Sequence, residues 1–309
     1  MTLQQLKYVI KIVEYGSITE AAKRLYITQP SLSSAVKELE KELGIEIFSR
    51  SSRGVSLTVD GAEFLSYARQ VVEQEELLER RYTGKKPSRR LCAISTQHYA
   101  FSVNAFVELV KECSADEYEF TLRETRTYDI IQDVKNMRSE IGILYLNHFN
   151  EKVITKLLRE DRLEFHPLFE ASPHVFVSWT NPLSTKEFVT LKDLEEYPCL
   201  SFEQGEFNSF YFSEEILSTV YHKKSIHVSD RATLFNLLIG LNGYTICTGV
   251  LSSDLNGVDI VSIPLAVSSD ERMRIGWIVN SKAVLSSAAE SYIGHLKKLI
   301  RKYGFTIIE

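Results

Sequence analysis

Apolar positions recur at steps of three and four through roughly the first ninety residues, and at steps of two or in short runs beyond them. The first spacing is that of helices with one buried face, and the second that of strands. Leu6, Val9, Ile10 and Val13 predict a helix from Leu3 to Glu14, closed by Gly16, which suits a left-handed C-terminal cap. Ser17-Ile18-Thr19-Glu20 has the form of a capping box and starts a second helix through Ala21, Ala22 and Leu25. After the break Tyr26-Ile27-Thr28, a third helix opens at Gln29-Pro30-Ser31. Thr28 can cap it, and Pro30 is tolerated in a first turn, where its amide would have no helical partner. Leu32, Ala35, Val36 and Leu39 form its buried stripe, and Gly44 stops it. Two short helices joined by a tight turn make a helix-turn-helix. What faces outward at the start of the third helix is Gln29, Ser31, Ser33, Ser34 and then Lys37. Those amide and hydroxyl groups can donate to and accept from base edges in the DNA major groove.

Ile45–Ser49 alternates like a short strand, Arg50-Ser51-Ser52-Arg53-Gly54 reads as a turn, and Val55–Thr58 as the returning strand. This is a wing with Arg50 and Arg53 at its tip. Arginine in a turn is commonly just solvated, but beside a helix-turn-helix it points to phosphate or minor-groove contact. Asp60-Gly61-Ala62-Glu63 resembles a second capping box, with Asp60 as cap, ahead of a long helix to about Tyr82. Roughly 23 residues at 1.5 Å each span about 34 Å. Gly84 would stop it, and Lys85-Lys86-Pro87-Ser88 would be a linker. Phe64, Ala68, Val71, Leu78 and Tyr82 follow heptad spacing interrupted by Glu75, with Leu65 and Val72 broadening the stripe. A second copy of the helix is the economical partner for that stripe; packing on the chain's own downstream domain is the alternative.

From Leu91 the pattern becomes α/β. Strands are expected at Leu91–Ser95, Tyr118–Arg123, Ile141–Leu146, Leu163–Leu168, Val175–Trp179, Cys199–Phe202, Ser225–Val228, Tyr244–Cys247, Val258–Ile263 and Met273–Val279. Helices are expected at Val103–Glu112, Tyr128–Arg138, Phe210–Val220, Thr233–Leu241 and Ala283–Tyr303. Alternation of this kind argues for parallel sheets with crossover helices, and the strand count fits two sheets better than one. The last helix is expected to return to the first of the two.

The 309 residues carry a net charge of −5, so no global basic field draws the chain to nucleic acid, although a small DNA-binding head on an acidic body is compatible with it. The four cysteines, at 92, 113, 199 and 247, lack metal-ligand spacing, and Cys199 and Cys247 read as buried structural residues. No signal peptide and no apolar run of bilayer length is evident, so a cytoplasmic location and no membrane partner are expected. The histidines form no metal pair, His222 and His227 reading as surface residues. Neither a glycine-rich phosphate loop nor a G-x-S-x-G elbow occurs, and no acid, base and nucleophile can be assembled from spacing. The expectation is a protein that is not an enzyme and uses neither metal nor cofactor.

The first ninety residues resemble the N-terminal part of LysR-type transcriptional regulators. The resemblance runs through Gly16-Ser17-Ile18-Thr19-Glu20-Ala21-Ala22, Thr28-Gln29-Pro30-Ser31-Leu32-Ser33, Leu39-Glu40, Leu43-Gly44, Phe48-Ser49-Arg50, Leu57-Thr58 and Gly61. Beyond Leu91 it is one of architecture. It implies a winged helix-turn-helix over residues 1–59, a dimerising linker helix over 60–88, and an α/β effector-binding domain over 89–309. That domain would resemble periplasmic binding proteins, with two Rossmann-like subdomains, about 89–162 with 268–309, and about 163–267. It further implies a dimer or tetramer that binds double-stranded DNA, answers to a small-molecule effector and works with RNA polymerase. Carried over by residue, DNA contact falls to Thr28, Gln29, Pro30, Ser31, Ser33, Lys37, Arg50 and Arg53. Ser34, on the same face, stands where many members carry arginine, so one strong guanine or phosphate contact is not carried over.

For the body, the resemblance implies an effector cleft between the subdomains. Ligands of such sheets bind beyond the carboxyl ends of strands and at helix N-termini. The matching segments are Ser95-Thr96-Gln97-His98, Thr125 and Thr127, Ser201-Phe202-Glu203, and Thr248-Gly249. Their hydroxyls and free amides suit a small anion or carboxylate, although Ser95 and Thr127 could simply cap helices. The aromatic run Phe207, Phe210, Tyr211 and Phe212, with Phe202, could be core or a wall of the cleft.

Overall fold

The computed structural model describes residues 1–51, 54–83, 90–114, 118–251 and 259–308. The head consists of α1 (Leu3–Tyr15), α2 (Ile18–Arg24) and α3 (Gln29–Leu43), followed by the hairpin β1 (Phe48–Ser51) and β2 (Gly54–Leu57). Short-range caps set each helix. Thr2 accepts from the Gln5 amide while the Gln5 side chain accepts from Thr2, a reciprocal box absent from the expectations above. Ser17 accepts from Glu20 N, but the Glu20 carboxylate pairs with Lys23 and Arg24 instead of closing the box. Thr28 accepts from Ser31 N, and Gly16 and Gly44 end α1 and α3 at φ +65° and +68°. Val9, Ala21, Leu32, Val36, Leu39, Ile47 and Leu65 are fully buried between the elements.

The hairpin begins at Phe48 and not at Ile45. The amides of Ile47 and Phe48 donate to Glu40 Oε1 at 2.8 and 3.0 Å, so they are tied to α3 and not to a neighbouring strand. The long helix α4 spans Val59–Thr83. Its cap is Thr58, whose hydroxyl accepts from Gly61 N at 2.9 Å; Asp60, expected as the cap, lies inside the first turn. Gly61 is there because the wing's base crosses it: a Cβ would sit 2.0 Å from the carbonyl oxygen of Ile47.

The apolar positions of α4 divide between two faces. Ala62, Leu65 and Ala68 are buried and Phe64 is half-buried, with Ala62, Phe64 and Leu65 against the head core. Glu75, which breaks the heptad pattern, faces α1 and pairs with Lys7 at 2.7 Å. A further side meets the body: Glu63 pairs with Lys282 at 3.0 Å, and Arg69 donates to the carbonyl of Met137 at 3.5 Å. Val71 and Leu78 are exposed, together with Tyr67 and Leu77. The outward line is therefore Tyr67, Val71, Gln74 and Leu78, again stepping four, three, four. The Tyr82 side chain, Gly84 and residues 85–88 lie outside the described residues.

The body runs β3 (Arg90–Thr96), α5 (Ala100–Glu112), β4 (Tyr118–Glu124), α6 (Thr127–Lys135), β5 (Ile141–Leu146), α7 (Glu151–Glu160), β6 (Leu163–Ala171) and β7 (His174–Ser178). It continues with α8 (Leu191–Leu194), β8 (Cys199–Phe202), β9 (Ser225–Val228), α9 (Arg231–Leu241), β10 (Tyr244–Cys247), β11 (Ile260–Pro264), β12 (Met273–Asn280) and α10 (Ser287–Lys302). Two five-stranded sheets result, ordered β4-β3-β5-β12-β6 and β11-β7-β10-β8-β9. They are mixed, not wholly parallel. β12 is antiparallel to β5 and β6, and β7 to β10 and β11. The chain passes between the sheets from β6 to β7 and returns from β11 to β12, and the strand that enters each sheet from the other, β7 or β12, opposes those laid down by crossover helices. α10 does return to the first subdomain, where buried Tyr292 bonds Ser102 Oγ of α5 at 2.6 Å.

Two local expectations are corrected. α7 was not anticipated; Asn147 and Asn150 exchange side-chain-to-amide bonds at 2.8 Å and turn the chain into it. Conversely, the helix expected over Phe210–Val220 is one 3-10 turn, Phe210–Phe212, and Leu217 adopts φ +65°. Its Glu214 and Glu215 are drawn into contacts between the subdomains, which a continuous helix would break.

Candidate DNA interface and effector cleft

At the start of α3, Thr28, Gln29, Pro30, Ser31, Ser34 and Lys37 are exposed and Ser33 is half-buried. Leu32, Val36 and Leu39 beneath them are wholly buried, so the helix is fixed in rotation with its short polar side chains outward. Thr28 Oγ1 also meets Ser31 Oγ at 2.8 Å, and Ser34 Oγ reaches Glu38 at 3.5 Å. Arg50 lies on β1, opposite Val55, with its side chain outside the described residues; Arg53 lies outside them altogether. Sequence reasoning passed over Tyr26. It occupies the turn before α3 at φ +56° and is 96% exposed. A bulky non-glycine residue in that backbone region is uncommon, and its ring is left almost wholly exposed two residues before the cap of α3. Glu40 was also missed: its carboxylate couples the far end of α3 to the root of the wing.

In the body, the residues singled out from sequence gather around the strand ends but do different jobs. Ser95 is wholly buried within its own subdomain, bonded to Asp133 at 2.6 Å and Ser139 at 2.8 Å. Thr96 donates to the carbonyl of Gln97 at 2.8 Å, and its own carbonyl accepts from Thr125 N. Gln97 is a buried hub: its amide nitrogen donates to Thr127 Oγ1 at 2.6 Å, and its oxygen accepts from Tyr99 OH and Tyr145 N. Thr248 accepts from Val250 N at 3.3 Å, and Gly249 sits at φ +79° with no room for a Cβ beside His174.

His98, Thr127, Phe202 and Glu203 lie where the two subdomains meet. The His98 ring stacks on Phe202 with centroids 3.9 Å apart, and its Nδ1 lies 3.0 Å from the carboxylate of Glu214. Burial works against the protonated ring, but the hydrogen bond and charge of Glu214, with Glu124 adding, hold His98 above its ordinary pKa. Glu203 pairs with Arg126, and Arg231 with Glu124 at 3.0 Å, both across the junction. Ser201 bonds His227 at 2.8 Å at an exposed edge. Phe207 stacks on Tyr128 at 3.6 Å and Tyr211 on Phe149 at 4.7 Å, so part of the aromatic run bridges the subdomains. Glu214, Glu215 and Gln204 are the cleft residues that sequence reasoning missed. Glu214 and Gln204 meet His98 and Thr127 on the far side of the junction, while the Glu215 carboxyl meets Phe202 on its own side, and no spacing announces either.

Burial pushes the Cys199 thiol up to about 12 and raises Cys92 and Cys247 as well, so none of these three is poised as a thiolate. Among the described residues no three His, Cys, Asp or Glu side chains gather where they could hold a metal, and no helix is long and apolar enough to cross a membrane.

Comparison with known proteins agrees with this division. Residues 3–62 match the bacterial regulatory helix-turn-helix protein, lysR family, and residues 90–301 match the LysR substrate binding domain. The HTH-type transcriptional regulator AlsR of Bacillus subtilis is 28% identical over 68% of this chain and 67% of its own length. The uncharacterized HTH-type transcriptional regulator YnfL of Escherichia coli is 24% identical over 97% of this chain and 99% of its own. A full-length OxyR variant from Pseudomonas aeruginosa has the same fold, with a TM-score of 0.57, 20% identity and coverage of 97% of this chain and 95% of that one. The reading helix, the long connecting helix and the two-sheet body thus have one explanation: the chain belongs to the LysR family and is a DNA-binding transcriptional regulator with a ligand-binding substrate domain.

Proposed function

We propose that the head reads a specific, partly palindromic DNA site as part of a homodimer or homotetramer, and that a small molecule held between the subdomains changes how the paired heads are spaced. The observation that carries this reading is the exposed polar first turn of α3, held in rotation by a buried stripe. Gln29 can pair bidentately with adenine, while Ser31, Ser33 and Ser34 reach base edges or phosphate. Thr28, Pro30, Lys37, Arg50 and Arg53 position the head on the sugar-phosphate backbone, with Tyr26 exposed in the turn before α3. Domain limits follow as 1–59 for the head, 60–88 for the linker helix and 89–309 for the effector domain. Of the heptad positions, Val71, Leu78 and Tyr82 are assigned to dimerisation, with Tyr67 added from its exposure on the same outward line, whereas Phe64 and Ala68 are taken up within the chain. The effector site is assigned to Ser95, Thr96, Gln97, His98, Thr125, Thr127, Ser201, Phe202, Glu203, Thr248 and Gly249. His98, Thr127, Phe202 and Glu203 lie on the junction itself, and the others support them. The protein acts in the cytoplasm without catalysing a reaction, and RNA polymerase is the partner through which a bound operator would change transcription.

A gel-shift titration of the full chain against its own upstream DNA, repeated over a salt series, tests the reading. The expected result is a sequence-preferring complex whose affinity falls by about 0.9 logarithmic units per phosphate contact for each tenfold rise in salt. A complex that ignores sequence, or none at all, would sink it.

A further inference from the structure

The main-chain donors that face the cleft are already taken by one short stretch of the chain. His98 N–H, on the first subdomain, donates to Glu214 Oε2 at 2.9 Å. Phe202 N–H, on the second, donates to Glu215 Oε1 at 2.9 Å. Thr127 N–H, at the start of α6, donates to Gln204 Oε1 at 3.2 Å, and Gln204 Nε2 donates in turn to Glu214 at 3.3 Å. All the acceptors come from residues 204–215. The backbone is left-handed near both ends of this strap, at Gly205 (φ +61°) and at Leu217 (φ +65°), a non-glycine residue in a region that L side chains disfavour. Its aromatic rings lie across the junction on Tyr128 and Phe149 of the first subdomain. The same residues carry the apolar spacing of a helix over Phe210–Val220, which they do not form.

We propose that Glu214 and Glu215 are a built-in ligand, and that the effector is a small molecule with two acidic groups that displaces their carboxyl groups from the His98 and Phe202 amides and frees the strap. This rests on the reading of the junction as the effector cleft. Charge decides between acid and amine as the ligand. Of the ionisable groups facing the junction, Arg126 pairs with Glu203 and Arg231 with Glu124. Asp230, which faces His98, is engaged by the Thr233 amide and hydroxyl; with the strap lifted, the His98 ring, three main-chain donors and the N-terminal end of α6 are left to favour an anion. A dicarboxylate replaces like with like, one acidic group on each subdomain, and so holds the subdomains together without the strap. An amine would meet the same main-chain donors, with the Glu203 and Glu124 carboxylates already paired with arginines. The strap is also a tense occupant. Two consecutive carboxyl groups are 92% or more buried, and burial, with the neighbouring Glu214 charge, pushes Glu215 up to about 8. Ligand binding relieves that crowding by returning both groups to water.

The test is calorimetric titration of the full chain and of its E214A/E215A variant with succinate, glutarate, acetate and putrescine at constant ionic strength. The expected result is that a dicarboxylate binds the variant at least tenfold more tightly than the parent, while acetate and putrescine do not distinguish them. Equal dicarboxylate binding by the two proteins, acetate acting as well as the dicarboxylates, or putrescine preferring the parent each overturns the proposal. Should the variant not fold, hydrogen exchange on the parent decides. A saturating dicarboxylate must speed exchange in peptides spanning 209–217 and leave those spanning 98 and 202 protected, and unchanged exchange in 209–217 overturns the assignment. A compound of another class that protects residues 98 and 202 overturns the dicarboxylate and strap but upholds the cleft. Loss of operator binding by the parent is the separate failure of the regulator reading.

Discussion

In the head and in the body alike, polar side chains satisfy main-chain groups, but over very different distances along the chain. Thr2, Ser17, Thr28 and Thr58 each accept from an amide three residues on. In the body His98 N–H finds Glu214 at a separation of 116 residues, and Thr127 N–H finds Gln204 at a separation of 77. Bonds of the first kind form whenever the local helix forms and are indifferent to what binds elsewhere. Bonds of the second kind exist only while two subdomains are held together, so a ligand at the junction can compete for them. A regulator needs both: a reading surface that does not change shape, and a site whose contacts are exchangeable.

The largest expected effect that separates the two regions is on pH. Glu215 is held protonated to about pH 8 by burial and by Glu214, whereas in the unfolded chain it ionises near the ordinary 4.5. Between those values the folded protein carries a proton that the unfolded chain lacks, so the body loses stability as pH rises through that window. At roughly 1.4 kcal/mol per unit the full swing is on the order of 5 kcal/mol. His98 acts in the same direction: its pKa is raised, so its contribution is complete at low pH and is lost as pH climbs through the folded value. Thermal unfolding from pH 5 to 8 should show the body's transition falling, and Glu215→Gln should flatten most of the slope. A slope unchanged in that variant would mean that some other group drives it.

Next in size is Gly61→Val, which attacks a contact of the head between residues far apart in the chain. A side chain there meets the Ile47 carbonyl at 2.0 Å, so α4 must move off the wing's base. Overpacking against backbone costs about 3 kcal/mol or more. Calorimetry should show the head's transition lost or lowered while the body's stays, and operator binding should vanish with it.

Glu40→Ala and Gln29→Ala form a matched pair at about 1–3 kcal/mol each, on different readouts. Removing Glu40 orphans the amides of Ile47 and Phe48, loosening the wing from α3. Affinity should then fall for every DNA sequence alike. Removing Gln29 should relax discrimination at one base pair and leave the head's stability unchanged. Competition gel shifts with single-base operator variants separate the two; a uniform loss in the Gln29 variant would make it a positioning residue.

This contrast also explains what the sequence disclosed. The helix-turn-helix was legible because its signals are local: Gly16 and Gly44 at left-handed stops, Thr28 three residues before its amide partner, Pro30 in a first turn. The error at Asp60 was of two residues, since two capping patterns overlap and Thr58 is fixed by its bond to the Ile47 carbonyl. The heptad line on α4 was legible as a pattern but not as a surface, because Glu75 answers to Lys7 on α1. In the body the strands were placed within a few residues, yet the sheets' mixed directions depend on where the chain crosses between them. The strap was misread as a helix for a physical reason: its apolar spacing is helical, and contacts far off in the chain, the amides of His98 and Phe202 among them, hold Glu214 and Glu215 elsewhere.

The smallest effect is at Thr28, where the two roles of one hydroxyl can be separated. Its Oγ1 accepts from Ser31 N at 3.3 Å and meets Ser31 Oγ at 2.8 Å, so capping already engages it. Thr28→Ala removes the cap and should cost about 1 kcal/mol in the head's unfolding free energy, while Thr28→Ser should restore it. Phosphate contact from the same hydroxyl would add a uniform loss of operator affinity in the alanine variant, beyond what the lost stability accounts for, and the serine variant would recover that too. Base preference should be unchanged in both. A shifted preference would make Thr28 a reader of sequence, and the local rule that fixes the head would then also carry its specificity.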